Sequence, residues 1–206
     1  MTITAFLTIL TVLTSLMAFN NHELFAKLLH SPYAERHRKE YYRLITSGFI
    51  HADWMHLFVN MFVLYQFGSI VEHYYLAGFG MWGRMVFLLM YLGAIVVGDI
   101  PTLLKYGQNP NYRAIGASGG VSGVMLAYTV FAPWQKIYIY GLIGIPSILA
   151  AVLYLAYSSW AARQNRDNIG HDAHFFGAVF GFLFTIMINP RFMNHFLENF
   201  MRGLPQ

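Results

Sequence analysis

The feature that most limits how this chain can fold is a series of six long apolar stretches. They cover residues 2–19, 52–71, 81–104, 115–132, 137–161 and 170–188. Each is close to the roughly 20 residues that an α-helix needs to cross the hydrocarbon core of a bilayer. With 57% hydrophobic and only 11% charged residues, the chain lacks the polar surface of a soluble domain. We therefore predict an all-α, polytopic membrane protein with six transmembrane helices.

The organisation along the chain predicts a single domain over residues 1–206. The first stretch lacks a basic flank and a small-residue cleavage site, so we expect it to be a retained helix and not a removed signal peptide. The longest connection is residues 20–50, in which residues 22–30 place apolar side chains on one helical face, as in helices that lie in the interface. We expect the histidines of this loop to be solvated and residues 190–206 to form a short tail.

Two further properties of the sequence bear on cofactors and partners. The chain has no cysteine, which excludes disulfides, thiolate metal sites and a cysteine nucleophile. Its net charge of +4 is spread along the sequence, which favours contact with the anionic headgroups of a lipid bilayer over binding to nucleic acid. We expect no cofactor.

The even-numbered stretches cross the membrane in the same direction and carry the unusual polar residues. These are His56 and Asn60 in the second, Ser118 and Ser122 in the fourth, and His174 in the sixth. Polar side chains at membrane depth are costly, so each is a candidate functional residue. We take Glu72, Pro133 and Asn189 as the residues at which these stretches end. His56 lies 16 residues before Glu72, Ser118 lies 15 before Pro133, and His174 lies 15 before Asn189. At 1.5 Å per residue, this spacing predicts a shared height of about 22–24 Å above those ends.

Small residues predict how two of these helices meet. They recur every four positions in both helices: Gly119, Gly123 and Ala127 in the fourth, and Ala173, Gly177 and Gly181 in the sixth. Such ridges let two backbones approach closely in lipid. Helix packing alone would explain the ridges, but Ser118 and His174 lie at their starts and at the same predicted depth. We therefore expect the two side chains to lie near the helix contact.

A serine beside an imidazole can support amide hydrolysis. Ser118 is a weak nucleophile until a base takes its proton, and a neutral His174 can accept that proton and return it to the leaving amine. His56 and Asn60 are four residues apart on one helical face and carry N–H groups suited to stabilising an oxyanion. No acidic residue is placed to orient His174, so the sequence predicts a Ser–His dyad.

These residues resemble the motifs of the rhomboid family of intramembrane serine proteases. Residues 116–119 are similar to the family's G-x-S-G nucleophile motif, which opens the fourth helix. Residues 173–181 are similar to its A-H-x-x-G-x-x-x-G motif in the sixth helix, and residues 56–60 to its H-x-x-x-N motif in the second. His51 stands upstream, as is common in the family. The resemblance covers about residues 1–190.

The resemblance implies a six-helix rhomboid-like bundle and an intramembrane serine endopeptidase. It implies Ser118 as the nucleophile, His174 as the general base, and His56 and Asn60 as stabilisers of the oxyanion. The implied substrates are single-span membrane proteins with small, helix-breaking residues near the cut. The implied location is a bacterial plasma membrane, with the active site toward the outer side and both chain ends in the cytoplasm.

The sequence departs from the family pattern one turn after the predicted nucleophile. Many members carry an aromatic residue there, against which the histidine stacks, whereas this chain has Ser122. Residues 120–123 also form a second G-x-S-G. We assign the nucleophile to Ser118 because Ser122 lies a further turn, about 6 Å, deeper. Ser122 is expected to pack between helices with its hydroxyl bonded to a carbonyl.

Two other functions remain as alternatives. A catalytically inactive relative that binds membrane clients would share the fold, and a small transporter would also place polar residues at depth. His171 and His174 are three residues apart and could share a metal, but the H-E-x-x-H pattern of membrane metalloproteases is absent. We therefore predict no metal site.

The distribution of basic residues disagrees with the orientation that the resemblance implies. One set of connections holds Lys27, Arg36, Arg38, Lys39, Arg43, Lys105, Arg113, Arg163 and Arg166, and the opposite set holds Arg84, Lys136, Arg191 and Arg202. Positive-inside counting would place the first loop in the cytoplasm. We expect the family's orientation, because a first loop folded into the interface would not count as an ordinary connection.

Overall fold

The structure, a computed structural model, describes residues 1–139, 142–164 and 170–203. In chain order its elements are α1 (Ile3–Phe19), α2 (His22–Leu28), α3 (Pro32–Arg38), α4 (Arg43–Thr46), α5 (Trp54–Phe79), α6 (Gly83–Tyr106), α7 (Ser118–Phe131), β1 (Lys136–Ile139), β2 (Ile143–Pro146), α8 (Ser147–Gln164), α9 (His171–Ile188) and α10 (Pro190–Arg202). Short 3₁₀ turns follow α4 and α5. Arg166 of the charge count and residues 204–206 of the predicted tail lie outside the described residues.

Each of the six predicted apolar stretches overlaps one helix, namely α1, α5, α6, α7, α8 or α9. Among the described residues, two segments are long and apolar enough to cross a membrane: Trp54–Tyr106, which contains α5 and α6, and His171–Ile188, which is α9. The helices α1 and α7 are apolar but shorter. The mostly helical architecture is therefore confirmed, whereas six membrane crossings remain a prediction.

The prediction of a helix throughout the fifth stretch was wrong for residues 137–139 and 142–146. Strands β1 and β2 form an antiparallel pair there, with Lys136 opposite Pro146 and Ile139 opposite Ile143. Isoleucine and tyrosine favour a pleated strand over a helix, and Pro146 cannot lie inside a helix without breaking it. Helix α8 accordingly begins only at Ser147.

The end predicted for the second stretch was also wrong, because α5 continues beyond Glu72 to Phe79. Glu72 is buried, and its carboxylate accepts hydrogen bonds from the backbone N–H groups of Ile3 and Thr4 and from the Thr4 hydroxyl, each at 2.8 Å. The first N–H groups of a helix have no partner within that helix. Glu72 therefore caps α1 and does not terminate α5.

Removing this carboxylate should destabilise the fold. A hydrogen bond to a charged group contributes about 1.5–3 kcal/mol, so we expect Glu72→Ala to lower the free energy of unfolding by about 3 kcal/mol or more. Thr4→Val removes only the hydroxyl donor and should cost about a third as much. Unfolding of the detergent-purified variants by denaturant measures both values. Equal stability of Glu72→Ala and wild type would contradict the capping role.

The small-residue ridges meet as the sequence predicts. A Cβ atom added at Gly177 would fall on the backbone of Gly119, and one added at Gly181 would fall on the backbone of Gly123. The backbones of α7 and α9 are therefore in direct contact. Helix α6 joins them, since a Cβ at Gly98 would lie 2.9 Å from the carbonyl oxygen of Ala173. This contact brings together the first turns of α7 and α9.

The first loop is a folded element containing α2, α3 and α4. Contrary to expectation, His30 is fully buried. Its Nδ1 lies 2.7 Å from the Glu35 carboxylate, and its Nε2 lies 2.8 Å from the Thr102 hydroxyl of α6. Burial opposes the charged imidazole, but the Glu35 hydrogen bond and the nearby Asp99 charge raise the pKa of His30 above its ordinary value. This polar cluster ties the loop to α6.

Candidate active site

The first turn of α5 positions two of the four predicted residues. Asp53 is the N-cap, and its carboxylate accepts a hydrogen bond of 2.8 Å from the His56 backbone N–H. His56 is thereby fixed as the third residue of the helix, and Asn60 follows one turn later. Asn60 is buried, and its side-chain N–H donates to the His56 carbonyl oxygen at 2.9 Å. One amide hydrogen of Asn60 is left for another acceptor.

Ser118 is the first residue of α7, and Gly116 determines how the chain approaches it. Gly116 has φ +115°, a conformation that other residues rarely adopt. Its N–H donates to the Ser47 carbonyl oxygen at 2.9 Å. A Cβ atom at Gly116 would lie only 2.7 Å from the His56 ring. The first glycine of the G-x-S-G motif is thus needed both for its backbone conformation and for close contact with His56.

His174 lies in the first turn of α9, with its backbone N–H bonded to the Gly170 carbonyl oxygen at 3.1 Å. The Tyr154 ring of α8 is stacked on the imidazole, with centroids 6.1 Å apart and planes inclined by 22°. His171 contacts the same imidazole edge-on at 5.8 Å. The imidazole is therefore contacted by rings from two helices.

All four predicted site residues line one cavity of about 680 Å³. They come from the first two turns of three helices: His56 and Asn60 from α5, Ser118 from α7 and His174 from α9. The depth estimate used the wrong end for α5, because that helix continues to Phe79. What these residues share is their position at the beginning of each helix, where N–H groups lack helical partners. The cavity therefore combines a hydroxyl, two imidazoles and an amide at the N-terminal ends of three helices.

His51 supports the start of α7 in a way that the sequence did not reveal. The residue is fully buried, and its Nε2 accepts a hydrogen bond of 3.3 Å from the Ala117 backbone N–H. Because that N–H can only donate, the proton of His51 lies on Nδ1, which donates to the Ser15 hydroxyl at 3.0 Å. Ser15 in turn donates to the Phe49 carbonyl oxygen at 3.1 Å.

The same environment keeps His51 neutral. Burial, aided by His56, lowers the pKa of His51 to about 3. The His51 ring packs edge-on against His56, with centroids 4.9 Å apart. His51 thus connects Ser15 of α1, His56 of α5 and Ala117, the residue before Ser118. The only indication of these contacts in the sequence is that a histidine upstream of the H-x-x-x-N motif is common in the family.

Ser122 does not make the expected contact. We predicted a bond to a helix carbonyl, but the buried Ser122 hydroxyl lies 2.5 Å from the Tyr154 hydroxyl of α8. Both residues line the same cavity as Ser118. Tyr154 was missed by the sequence analysis, because a tyrosine in an apolar stretch reads as a lipid-facing or core residue.

Asp99 of α6 and His171 of α9 make contacts of their own outside the proposed dyad. Asp99 accepts a hydrogen bond from the Ser47 hydroxyl at 3.2 Å and lies 4.0 Å from His30, so it belongs to the first-loop cluster. Within the described part of the chain, no three His, Asp or Glu residues are arranged as metal ligands. His171 packs edge-on against Tyr157 as well as His174.

Apolar helices around an internal cavity that holds a few polar side chains are typical of integral membrane proteins that act within the bilayer. Residues 38–191, about three quarters of the chain, match the rhomboid domain. The chain belongs to the rhomboid family.

Three relatives illustrate this membership. The chain is 31% identical over 149 residues to the rhomboid YdcA of Bacillus subtilis (strain 168), covering 72% of this chain and 67% of the relative. It is 30% identical to rhomboid-like protein 11, chloroplastic, of Arabidopsis thaliana, covering 72% and 53%. Its identity to the rhomboid protease GluP of Bacillus subtilis is 30%, covering 68% and 25%. The chain therefore spans only about half of the plant protein and a quarter of GluP.

Proposed function

We propose that this protein is an intramembrane serine endopeptidase that cleaves transmembrane segments of other membrane proteins with a Ser118–His174 dyad. The observation that carries the proposal is the single cavity that receives Ser118, His174, His56 and Asn60 from three different helices. Helix packing does not require these residue types to converge. Hydrolysis of an amide requires a nucleophile, a base and oxyanion donors in one place.

In the proposed reaction the Ser118 hydroxyl attacks the scissile carbonyl carbon while His174 takes the hydroxyl proton. The carbonyl oxygen becomes an oxyanion, which His56, Asn60 and the Ser118 backbone N–H stabilise. The C–N bond then breaks, His174 gives its proton to the amine, and an acyl-serine remains. Water, deprotonated by His174, attacks this ester, and the proton returns to Ser118 as the acid leaves.

The contacts of α7 support this division of roles. The Ala117 N–H is already bonded to His51, so the oxyanion must be met by N–H groups beginning at Ser118. Those groups lie in the first helical turn, where the aligned peptide dipoles favour negative charge. Because Gly116 has no side chain, the His56 ring can lie close to this turn. A developing oxyanion near Ser118 would thus face donors from both α5 and α7.

The proposed substrates are single-span membrane proteins, and the proposed location is a bacterial plasma membrane with the cavity toward the outer side. The apolar side chains Val59, Val63 and Met125 line the cavity together with the polar residues, which suits an apolar peptide segment. The folded first loop, held to α6 through His30, supports leaving its basic residues out of the positive-inside count.

One experiment tests activity, depth and side together. A single-span reporter with its N-terminus outside the cell is co-expressed with the protein, and mass spectrometry locates the cut. We expect cleavage within the first few residues of the span on the outer side. In the control, the same reporter is co-expressed with the Ser118→Ala variant of this protein. Fragments cut at the cytoplasmic end would overturn the orientation, and identical fragments with both proteins would overturn the proposed activity.

A further inference from the structure

Ser122 and Tyr154 form a polar pair in the wall of the cavity beside His174. The Ser122 hydroxyl of α7 and the Tyr154 hydroxyl of α8 are 2.5 Å apart. Ser122 is almost fully buried, so water does not readily compete for this bond. The Tyr154 ring is thus held at two ends, by its backbone in α8 and by its hydroxyl at α7.

The face of the same ring is turned toward the proposed base. The Tyr154 and His174 rings are nearly parallel, 22° apart, with centroids at 6.1 Å. Offset stacking of this kind is a favourable geometry for aromatic rings. An imidazole beside a 680 Å³ cavity has space on one side into which it could rotate. A ring fixed on the other side limits the rotamers that the imidazole can adopt.

From this geometry we infer that Tyr154, tethered by Ser122, is a positioning residue that holds the His174 imidazole toward Ser118. The inference rests on the proposed function, because it assigns a role in setting the geometry of the proposed dyad. Neither residue reacts with the substrate. Ser122 is small enough to leave room for a ring from α8, and its hydroxyl provides the tether. The departure of the sequence at this position is therefore matched by an aromatic residue from a different helix.

The inference also links α8 to catalysis. Tyr154 is the only part of the inferred arrangement that α8 contributes, and its hydroxyl reaches across to α7. Displacing α8 from α7 would break the tether and remove the ring from His174 in one movement. The alternative is that the pair serves only to hold α8 in the bundle. The two views differ in what they predict for turnover by correctly folded molecules.

The test compares variants that remove the ring with variants that remove only the tether. Tyr154→Leu removes the stacked ring, and we expect turnover to fall about a hundredfold with KM little changed, since a small displacement of a catalytic group has effects of this size. Tyr154→Phe and Ser122→Ala each remove the same hydrogen bond and keep the ring. Each should lower turnover about tenfold, and the double variant should be no worse than either, because both changes delete one interaction.

The matched control is Trp160→Leu, which replaces an exposed aromatic residue of the same helix. All rates are expressed per folded molecule, with the folded fraction measured by thermal unfolding in the same detergent. A purely structural role predicts lower melting points with wild-type turnover per folded molecule, and this result for Tyr154→Leu would overturn the inference. Additive losses in the Tyr154→Phe/Ser122→Ala double variant would also overturn the tether.

These outcomes are separate from a failure of the proposed function. Wild-type protein that neither cleaves a single-span reporter nor reacts with a fluorophosphonate would remove the proposed dyad, and the inference with it. Active wild-type protein together with fully active Tyr154→Leu would remove the positioning role alone. Complete inactivity of Ser122→Ala beside nearly full activity of Tyr154→Phe would assign the nucleophile to Ser122 and overturn the tether.

Discussion

Ser118→Ala is expected to abolish cleavage while the protein remains folded. Loss of the nucleophile of a serine hydrolase lowers turnover by several orders of magnitude, because no other group can form the acyl intermediate. Alanine fits wherever serine fits, and the N-cap of α7 is Ala117, so the helix start does not rely on a side-chain cap that the substitution would remove. The melting point should therefore remain close to that of the wild type. Reporter cleavage and covalent labelling by a fluorophosphonate measure the effect independently.

Ser122→Ala is the matched control, since it changes the same residue type one turn deeper in the same helix. It should retain labelling, with turnover lowered about tenfold through the loss of the Tyr154 tether. Full labelling of Ser118→Ala together with loss of labelling in Ser122→Ala would move the nucleophile to Ser122. Wild-type protein that resists the probe would instead favour an inactive, client-binding member of the family, because labelling requires an activated serine.

The contact between α7 and α9 could be predicted from the sequence because close backbone packing leaves a strict pattern. Only glycine fits where Gly177 meets Gly119 and where Gly181 meets Gly123, so the four-residue spacing appears directly in the sequence. The convergence of His56, Asn60, Ser118 and His174 could be predicted from three motifs on separate helices. Their shared cavity follows from the helix starts, although the predicted end of α5 was wrong.

Other contacts left no such pattern. Tyr154 is one of 14 tyrosines in the chain, and nothing in its neighbourhood in the sequence indicates that it faces His174 and Ser122. Glu72 suggested the end of a helix because an acidic residue in an apolar segment is costly. Its cost is offset by donors from α1, which lie 68 and 69 residues away. Partners so distant in the sequence are determined by the tertiary fold alone.

The second large effect is expected for variants of His56 and Asn60, which should lower the turnover rate. If both residues bind the oxyanion, their N–H groups act mainly in the transition state, so their loss should lower turnover with little change in KM. Removing one oxyanion donor typically costs about 3 kcal/mol, roughly a hundredfold or more in rate. His56→Phe is preferable to His56→Ala, because a ring keeps the packing against Gly116 and His51. Asn60→Leu similarly keeps the volume and removes the donor.

The loss is expected to be smaller for Asn60→Leu than for His56→Phe. Asn60 already donates one amide hydrogen to the His56 carbonyl oxygen, so only its other amide hydrogen can bind the oxyanion. The backbone N–H of Ser118 can bind the oxyanion as well.

The competing view is that both residues only join the start of α5 to its neighbours. That view predicts lower melting points, with activity falling in proportion to the folded fraction. Turnover and melting temperature are therefore measured on the same purified variants. A near wild-type melting point with a hundredfold lower turnover supports oxyanion binding, whereas wild-type turnover per folded molecule contradicts it.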